Sequence, residues 1–191
     1  MTVQQPPTPG PAYVVFSAEI DVNTIEQLLN TMANCANQNY AEVHLLMSTP
    51  GGSVMHGINA YNVLRGMPFK LVTHNVGNID SIGNAIYLAG EDRYACEHST
   101  FMFHGVAFSG DGTTFNAQLT KEKLDSLRAD ENRIGGIITD RTKLSSKQVK
   151  SFHKAGRTMT AEEAHAVGIV HDVKEVTIPP ESAVATLVFN R

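Results

Sequence analysis

Apolar positions along the chain alternate between two rhythms. Residues 13–16 form a short unbroken apolar run that predicts a strand. Asn23 with Glu26 then resembles a capping box, opening a helix whose Ile25, Leu28, Leu29 and Met32 share one face. Residues 42–47, rich in Val and Leu, predict a second strand. It stops at Thr49-Pro-Gly-Gly52, where proline and paired glycines force a turn, and Val54, Ile58, Tyr61 and Leu64 predict a second amphipathic helix. Residues 69–76 predict a third strand, followed by a helix after Ser81. Strands alternating with helices argue for a mainly parallel sheet with right-handed crossovers, a design that places ligands beyond the carboxyl ends of the strands. Gly51-Gly52 and Ser81 both fall at such ends.

Residues 100–103 predict a buried strand that delivers His104 at its carboxyl end. A long segment over about 114–140 carries Leu124, Leu127, Ile134 and Ile138 at helical spacing. A helix of about 25 residues reaches about 37 Å, farther than a crossover in a domain of this size needs, so part of its apolar stripe is expected to pack on a second subunit. Thr160 and Glu163 form another capping box before residues 164–167, Gly168 ends that helix, and residues 169–173 predict a last strand. The tail over 176–191 has extended character, broken by Pro179-Pro180.

At 191 residues, 42% of them hydrophobic and 18% charged, the chain suits one packed domain over 13–191 behind a Pro-rich lead of residues 1–12. A net charge of -4 without a Lys/Arg run gives no footprint for nucleic acid or an anionic membrane surface. No apolar run is long enough to span a bilayer, and the lead lacks the regions of a secretion signal. Cys35 and Cys96 match no metal spacing and are expected as buried free thiols, which fits a reducing, cytoplasmic setting. His44, His56, His74, His98, His153, His165 and His171 show no ligand spacing, and phosphate-loop and dinucleotide patterns are absent. No metal and no cofactor is expected.

Three features converge: a Pro-Gly-Gly turn after one strand, a serine at a strand-to-helix turn, and a histidine ending a neighbouring strand. By itself Ser81 could be only a helix cap. Together they are the parts for acyl transfer, in which a serine attacks a carbonyl, an imidazole takes its proton and backbone amides hold the oxyanion.

Ser48-Thr-Pro-Gly-Gly-Ser-Val54, Gly77-Asn-Ile-Asp-Ser-Ile-Gly83, Phe101-Met-Phe-His104 and Met159-Thr-Ala-Glu-Glu-Ala164 with Val167-Gly-Ile-Val170 resemble, in order and at close spacing, the successive motifs of the Clp protease proteolytic subunit family, ClpP. The resemblance covers about residues 13–172 and lies within the ClpP/crotonase superfamily. It implies an α/β fold of repeated ββα units with a protruding handle helix over about 114–140, assembled as a homo-oligomeric ring. It also implies a serine endopeptidase acting on peptides or unfolded proteins, with Ser81 as nucleophile, His104 as base and the amides of Gly52 and Ile82 as oxyanion hole.

The match departs from the family at three places. The family's triad aspartate falls on Gly156, and a glycine cannot orient an imidazole; Asp80 and Asn84 replace small residues around the serine. Asp80, Asp111, Asp140 and Asp172 are candidate substitutes, none of them assignable from sequence, and Gly156→Asp is expected to raise activity if the local backbone matches the family's. Lys121 and Lys123 could serve a Ser/Lys dyad, but their charged neighbours read as a solvated helix face. Ser53 reads as a helix N-cap rather than a nucleophile. The residues 105–112 read as a mobile polar loop. Gly156 keeps alive a second reading, a catalytically silent subunit assembling with an active ClpP paralogue. A third, a crotonase-like acyl-CoA enzyme, would need no Ser/His pair. The family's axial gate is formed by a longer segment before the first strand, so docking of an AAA+ unfoldase through it is in doubt here.

Overall fold

In the computed structural model, which describes residues 10–108 and 116–189, the apolar runs become strands and the periodic segments helices. Strand β1 (Ala12–Ser17) leads into α1 (Val22–Asn37), which buries Thr24, Ile25, Leu28, Met32 and Cys35. The capping box sits two residues earlier than the sequence predicts: Asp21, not Asn23, is the cap. Its carboxylate accepts from the Thr24 amide at 2.9 Å, and Thr24 Oγ1 accepts from the Asp21 amide at 3.0 Å. Strand β2 (Glu42–Thr49) and α2 (Val54–Arg65) follow, then the eleven-residue β3 (Lys70–Asp80) and the short α3 (Gly83–Tyr87). After β4 (Asp92–Ala95) and β5 (Thr100–Phe103) comes α4 (Ala117–Arg141). Thr114 and Phe115, the expected start of that long segment, lie outside the described residues.

The remaining elements are α5 (Ser146–Ala155), β6 (Arg157–Thr160), α6 (Ala161–Ala166), β7 (Asp172–Val173) and β8 (Ala183–Thr186). The Thr160/Glu163 box caps α6 as expected. The last predicted strand shrinks to β7, because residues 169 and 170 hold other bonds. The Ile169 amide donates to Ala164 O, and its carbonyl accepts from the Arg93 guanidinium at 2.8 Å. Elements β4, α5 and β6 are not predicted by the pattern; α5 buries only Val149 and β6 only Met159, too few apolar positions to register as a period.

The main sheet path runs β6-β5-β3-β2-β1-β8, parallel except for the antiparallel β5–β6 pair. Strand β3 changes neighbours midway: residues 72–75 pair with β4, residues 78–80 with β5. Asn75, fully buried, manages the change by donating from Nδ2 to Thr100 O at 2.8 Å and accepting from the Gly77 amide at 3.1 Å. The core lies between the sheet and its helices, with Phe16, Leu45, Ile79 and Phe101 from strands meeting Leu28, Met32, Leu64 and Ile138 from helices. Arg93 is buried with no carboxylate bonded to it among the described residues. Its guanidinium donates to the carbonyls of Gly90, Arg141, Gly168 and Ile169, tying the end of α4 to the segment before β7.

Helix α4 is a handle in shape. Ile134 and Ile138 are buried in the core, whereas Leu127 is half-buried and Leu124 is 44% exposed, so the stripe runs off the domain.

The opposite face of the sheet carries a row of rings. Tyr13 stacks on His44 at 4.6 Å, His44 on His74 at 5.1 Å, and His74 meets Tyr94 at 5.4 Å between centroids. His44 Nε2 donates to Glu42 at 2.8 Å, so its Nδ1 accepts from His74 Nε2 at 2.9 Å. That leaves His74 Nδ1 buried without a partner among the described residues, and a proton placed there would be an unpaired buried donor. Burial first, then His44 and Lys174, accordingly pull the His74 pKa down from 6.5 to about 4. Between those values the unfolded chain binds a proton that the native one refuses, so stability falls as pH is lowered through the window. Denaturant melts from pH 7 to pH 4 should show this loss, and His74→Val should flatten the slope; an unchanged slope would mean that other groups carry it.

Candidate active site

The elbow at Ser81 follows from strand register. Asp80 pairs with Met102 across β3 and β5, and the Ser81 amide donates to Met102 O at 2.8 Å. His104, two residues beyond Met102, is therefore delivered beside Ser81 as β5 ends. Ser81 itself takes φ +56°, a left-handed conformation that L side chains rarely adopt. Such a residue costs of order 1–3 kcal/mol and persists only where its surroundings over-determine it.

Asn84 does so here. It is buried in the first turn of α3, and its Nδ2 donates to Ser81 O at 3.0 Å and Met102 O at 2.9 Å, clamping the elbow to the strand that carries His104. The sequence marks Asn84 only as a departure. Its one legible signal is a polar residue within an otherwise apolar stretch, which must find partners if buried.

The Pro-Gly-Gly turn supplies the facing wall. Ile20 bridges to Gly52, its amide donating to Gly51 O and its carbonyl accepting from the Ser53 amide, both at 2.7 Å. Those bonds use the groups on either side of Gly52 and leave its own amide without an acceptor among the described residues. A Cβ on Gly52, at φ +141°, would fall 2.3 Å from Ile20 O, so a side chain would break the bridge. The Ile82 amide at the start of the α3 turn likewise has no acceptor among them. Ser53 occupies the α2 cap position, but its hydroxyl makes no capping bond.

Gly52, Ser81, Ile82 and His104 line one cavity of about 120 Å³, shared with Val106, Ile134 and His153. The structure thus brings all four expected site residues together. Ser81 is half-buried and His104 exposed. Among the described residues no carboxylate hydrogen-bonds or ion-pairs with His104. Asp80 accepts from Asn78 Nδ2 at 2.8 Å, and Asn78 is held in turn by Ser48 Oγ at 3.0 Å. Asp140 and Asp172 are exposed and absent from the cavity, and Asp111 lies outside the described residues, as do residues 109–112 of the expected loop. Lys121 pairs with Asp125 at 3.1 Å and Lys123 sits over the Phe108 ring at 4.1 Å; neither lines the cavity.

His153, on the last turn of α5, and Glu131, on α4, were not picked out for this place by the sequence. A Cβ on Gly105, the residue after His104, would lie 2.9 Å from His153 O and 3.0 Å from Glu131 Oε1. The only sequence hint is their residue types, since nothing local links α4 to α5. No group of three or more His, Cys, Asp or Glu among the described residues could hold a metal. Both cysteines are free; Cys35 is buried and Cys96 half-buried, and burial raises both thiol pKa values.

An α/β subunit with a handle helix and a serine elbow facing a glycine turn is the ClpP architecture. The solved structure of a ClpP1 mutant from Listeria monocytogenes superposes with a TM-score of 0.76 at 21% identity, over 86% of this chain and 91% of that one. The Clp protease family model matches residues 11–177, and the chain belongs to that family. It is 26% identical over 143 residues to ATP-dependent Clp protease proteolytic subunit 2 of Corynebacterium diphtheriae, across 74% of this chain and 70% of the relative. The same-named subunit of Corynebacterium efficiens is 26% identical over 134 residues, across 69% and 66%. Among the described residues no helix is long and apolar enough to cross a membrane.

Gly156, where the sequence resemblance leads one to expect an aspartate, has a backbone of its own. Gly156 caps α5 at φ +73°, with its amide donating to Phe152 O at 2.9 Å. A Cβ there meets only Phe103 O, at 4.0 Å, so space is open but the conformation is glycine's. The expected gain from Gly156→Asp is therefore set against strain of about 1–3 kcal/mol. Thermal denaturation should show the variant destabilised; an unchanged Tm would mean that the loop accepts an aspartate.

Proposed function

We propose that the chain is a serine endopeptidase subunit of the ClpP type, cleaving peptides or unfolded proteins in a reducing, cytoplasmic compartment. One observation carries the reading: the left-handed Ser81 elbow shares a small cavity with His104 and with two acceptor-free amides, those of Gly52 and Ile82. Ser81 Oγ attacks the scissile carbonyl carbon as its proton passes to His104. The carbonyl oxygen, now negative, is held by the Gly52 and Ile82 amides. Collapse breaks the C–N bond and the amine leaves with the proton from His104, giving an acyl-enzyme that water hydrolyses by the same steps. A backbone oxyanion hole costs no reorganisation at the moment of reaction, and removing one such donor in other proteases lowers turnover by about 10²–10³.

The lack of a carboxylate on His104 among the described residues, with glycine at 156, favours a second reading: a silent subunit assembled with an active ClpP paralogue. A serine-directed fluorophosphonate probe separates the two. The wild type should be labelled, and Ser81→Ala and His104→Ala should each abolish labelling while keeping Tm and assembly. A folded wild type that never reacts, under conditions that label an ordinary ClpP, hands the case to the silent subunit.

The assembly we propose is a homo-oligomeric ring, supported by the stripe on α4 that leaves the domain. Full burial of a leucine is worth about 1.5–3 kcal/mol, so covering Leu124 and Leu127 favours association. Ile134 is already buried and borders the cavity, so it is no probe of assembly. Leu124→Asp with Leu127→Asp should shift light-scattering mass toward monomer; a wild type monomeric at micromolar concentration would sink the handle reading. Whether an AAA+ unfoldase feeds such a ring is a separate matter of its axial surface.

A further inference from the structure

Among the described residues no carboxylate bonds His104, and the last turn of α5 stands behind it. Helix α5 ends against the chain leaving β5, so close that a side chain on Gly105 would strike His153 O and Glu131 Oε1. His153 projects from that last turn and lines the same cavity as Ser81 and His104. Its Cε1 comes 4.0 Å from the position a Cβ would take on Gly135, an ordinary contact distance that sets the ring beside α4. Glu131, one turn before Gly135 on the same helix, borders with His153 the adjoining groove of about 580 Å³. His153 thus shares one cavity with His104 and the adjoining groove with Glu131, whose carboxylate makes no hydrogen bond or ion pair among the described residues.

We propose that His153, backed by Glu131, is the positioning group for His104, carried by this chain in place of a carboxylate at Gly156. The inference rests on Ser81 and His104 acting as the Ser/His pair. A neutral imidazole has one donor and one acceptor nitrogen. The acceptor of His153 takes the Nδ1–H of His104, which fixes the tautomer and leaves Nε2 free for the Ser81 proton. The donor side faces Glu131, whose charge offsets the imidazolium that forms on His104 during attack. Two adjacent imidazoles cannot both carry charge cheaply, so the scheme needs His153 neutral. Burial chiefly, and His104 as well, hold the His153 pKa below the ordinary histidine value, while Glu131 pulls it up. Other charges bordering its groove are Lys150 and Lys154 on α5. In this structure the two rings are not hydrogen-bonded; such contacts are often open until substrate is bound. His104, exposed and without a side-chain bond among the described residues, is free to turn.

The test is the rate of fluorophosphonate labelling of the full chain, read beside Tm and assembly mass. His153→Leu should slow labelling at least about tenfold, less than the about 10²–10⁴-fold of a general base itself because His153 acts only through His104. His153→Asn, whose amide oxygen can accept from His104, should recover to within about threefold of wild type. Glu131→Gln should slow labelling by a smaller factor, and combining it with His153→Leu should add nothing, since Glu131 acts through the ring. Wild-type rates in His153→Leu overturn the proposal, as does Asn labelling as slowly as Leu, which would reduce the residue to packing. A double variant slower by the full Glu131 factor overturns the relay. Should His153→Leu not fold, Glu131→Gln at the wild-type rate is sufficient to reject it. An unlabelled wild type instead removes the Ser81 reading first, an outcome distinct from all of these.

Discussion

Asn84 is the constraint on which the site depends. A buried amide must spend its hydrogen bonds, and this one spends them on the carbonyls of Ser81 and Met102. One of those carbonyls belongs to the left-handed residue of the elbow, the other to the strand that ends at His104. A single side chain therefore holds together two chain segments, far apart in sequence, that bring Ser81 and His104 to one cavity. Its Oδ1 remains buried without a partner among the described residues, so the clamp is itself incompletely satisfied. Such a cost is borne where a strained conformation has to be kept.

The clamp works only because β3 changes partner. Its first half pairs with β4 and its second with β5, and Asn75 closes the backbone bonds that the change would leave open. Without that step β5 would not lie beside Asp80, and His104 would end elsewhere. Arg93 performs the matching task at the other end of the helical layer, gathering four carbonyls around one guanidinium. Both are buried polar groups satisfied by main chain, which makes them specifiers of geometry more than sources of net stability.

Much of this was legible in the sequence, for local reasons. The strand ends at Gly51-Gly52, Ser81 and His104 stand out because apolar runs stop there and turn residues begin, and a parallel sheet gathers such ends on one edge. The helix capped by Thr160 was legible for the same reason, a short-range signal with a short-range cause. The α1 box was misplaced by two residues because Asp21 and Thr24 compete with Asn23 and Glu26, and the burial of Thr24 decides between them. What was not legible is tertiary. Helix α5 has little apolar signal, and no spacing reveals that its last turn packs on Gly105 beside Glu131.

The chain around Gly156, where the family resemblance leads one to expect an aspartate, has a geometry of its own behind His104. The positive-φ cap ends α5 just after His153 and turns the chain into β6, which pairs with β5 through Phe103 and Arg157. Residue 156 thus stands at the start of the strand edge, while His153 in the preceding helical turn lines the cavity with His104. Glycine there shapes the backbone, and the side chains with chemistry sit one turn earlier and on the neighbouring helix. Helix α4, which brings Glu131 to the groove it shares with His153, is also the helix whose outer half leaves Leu124 exposed.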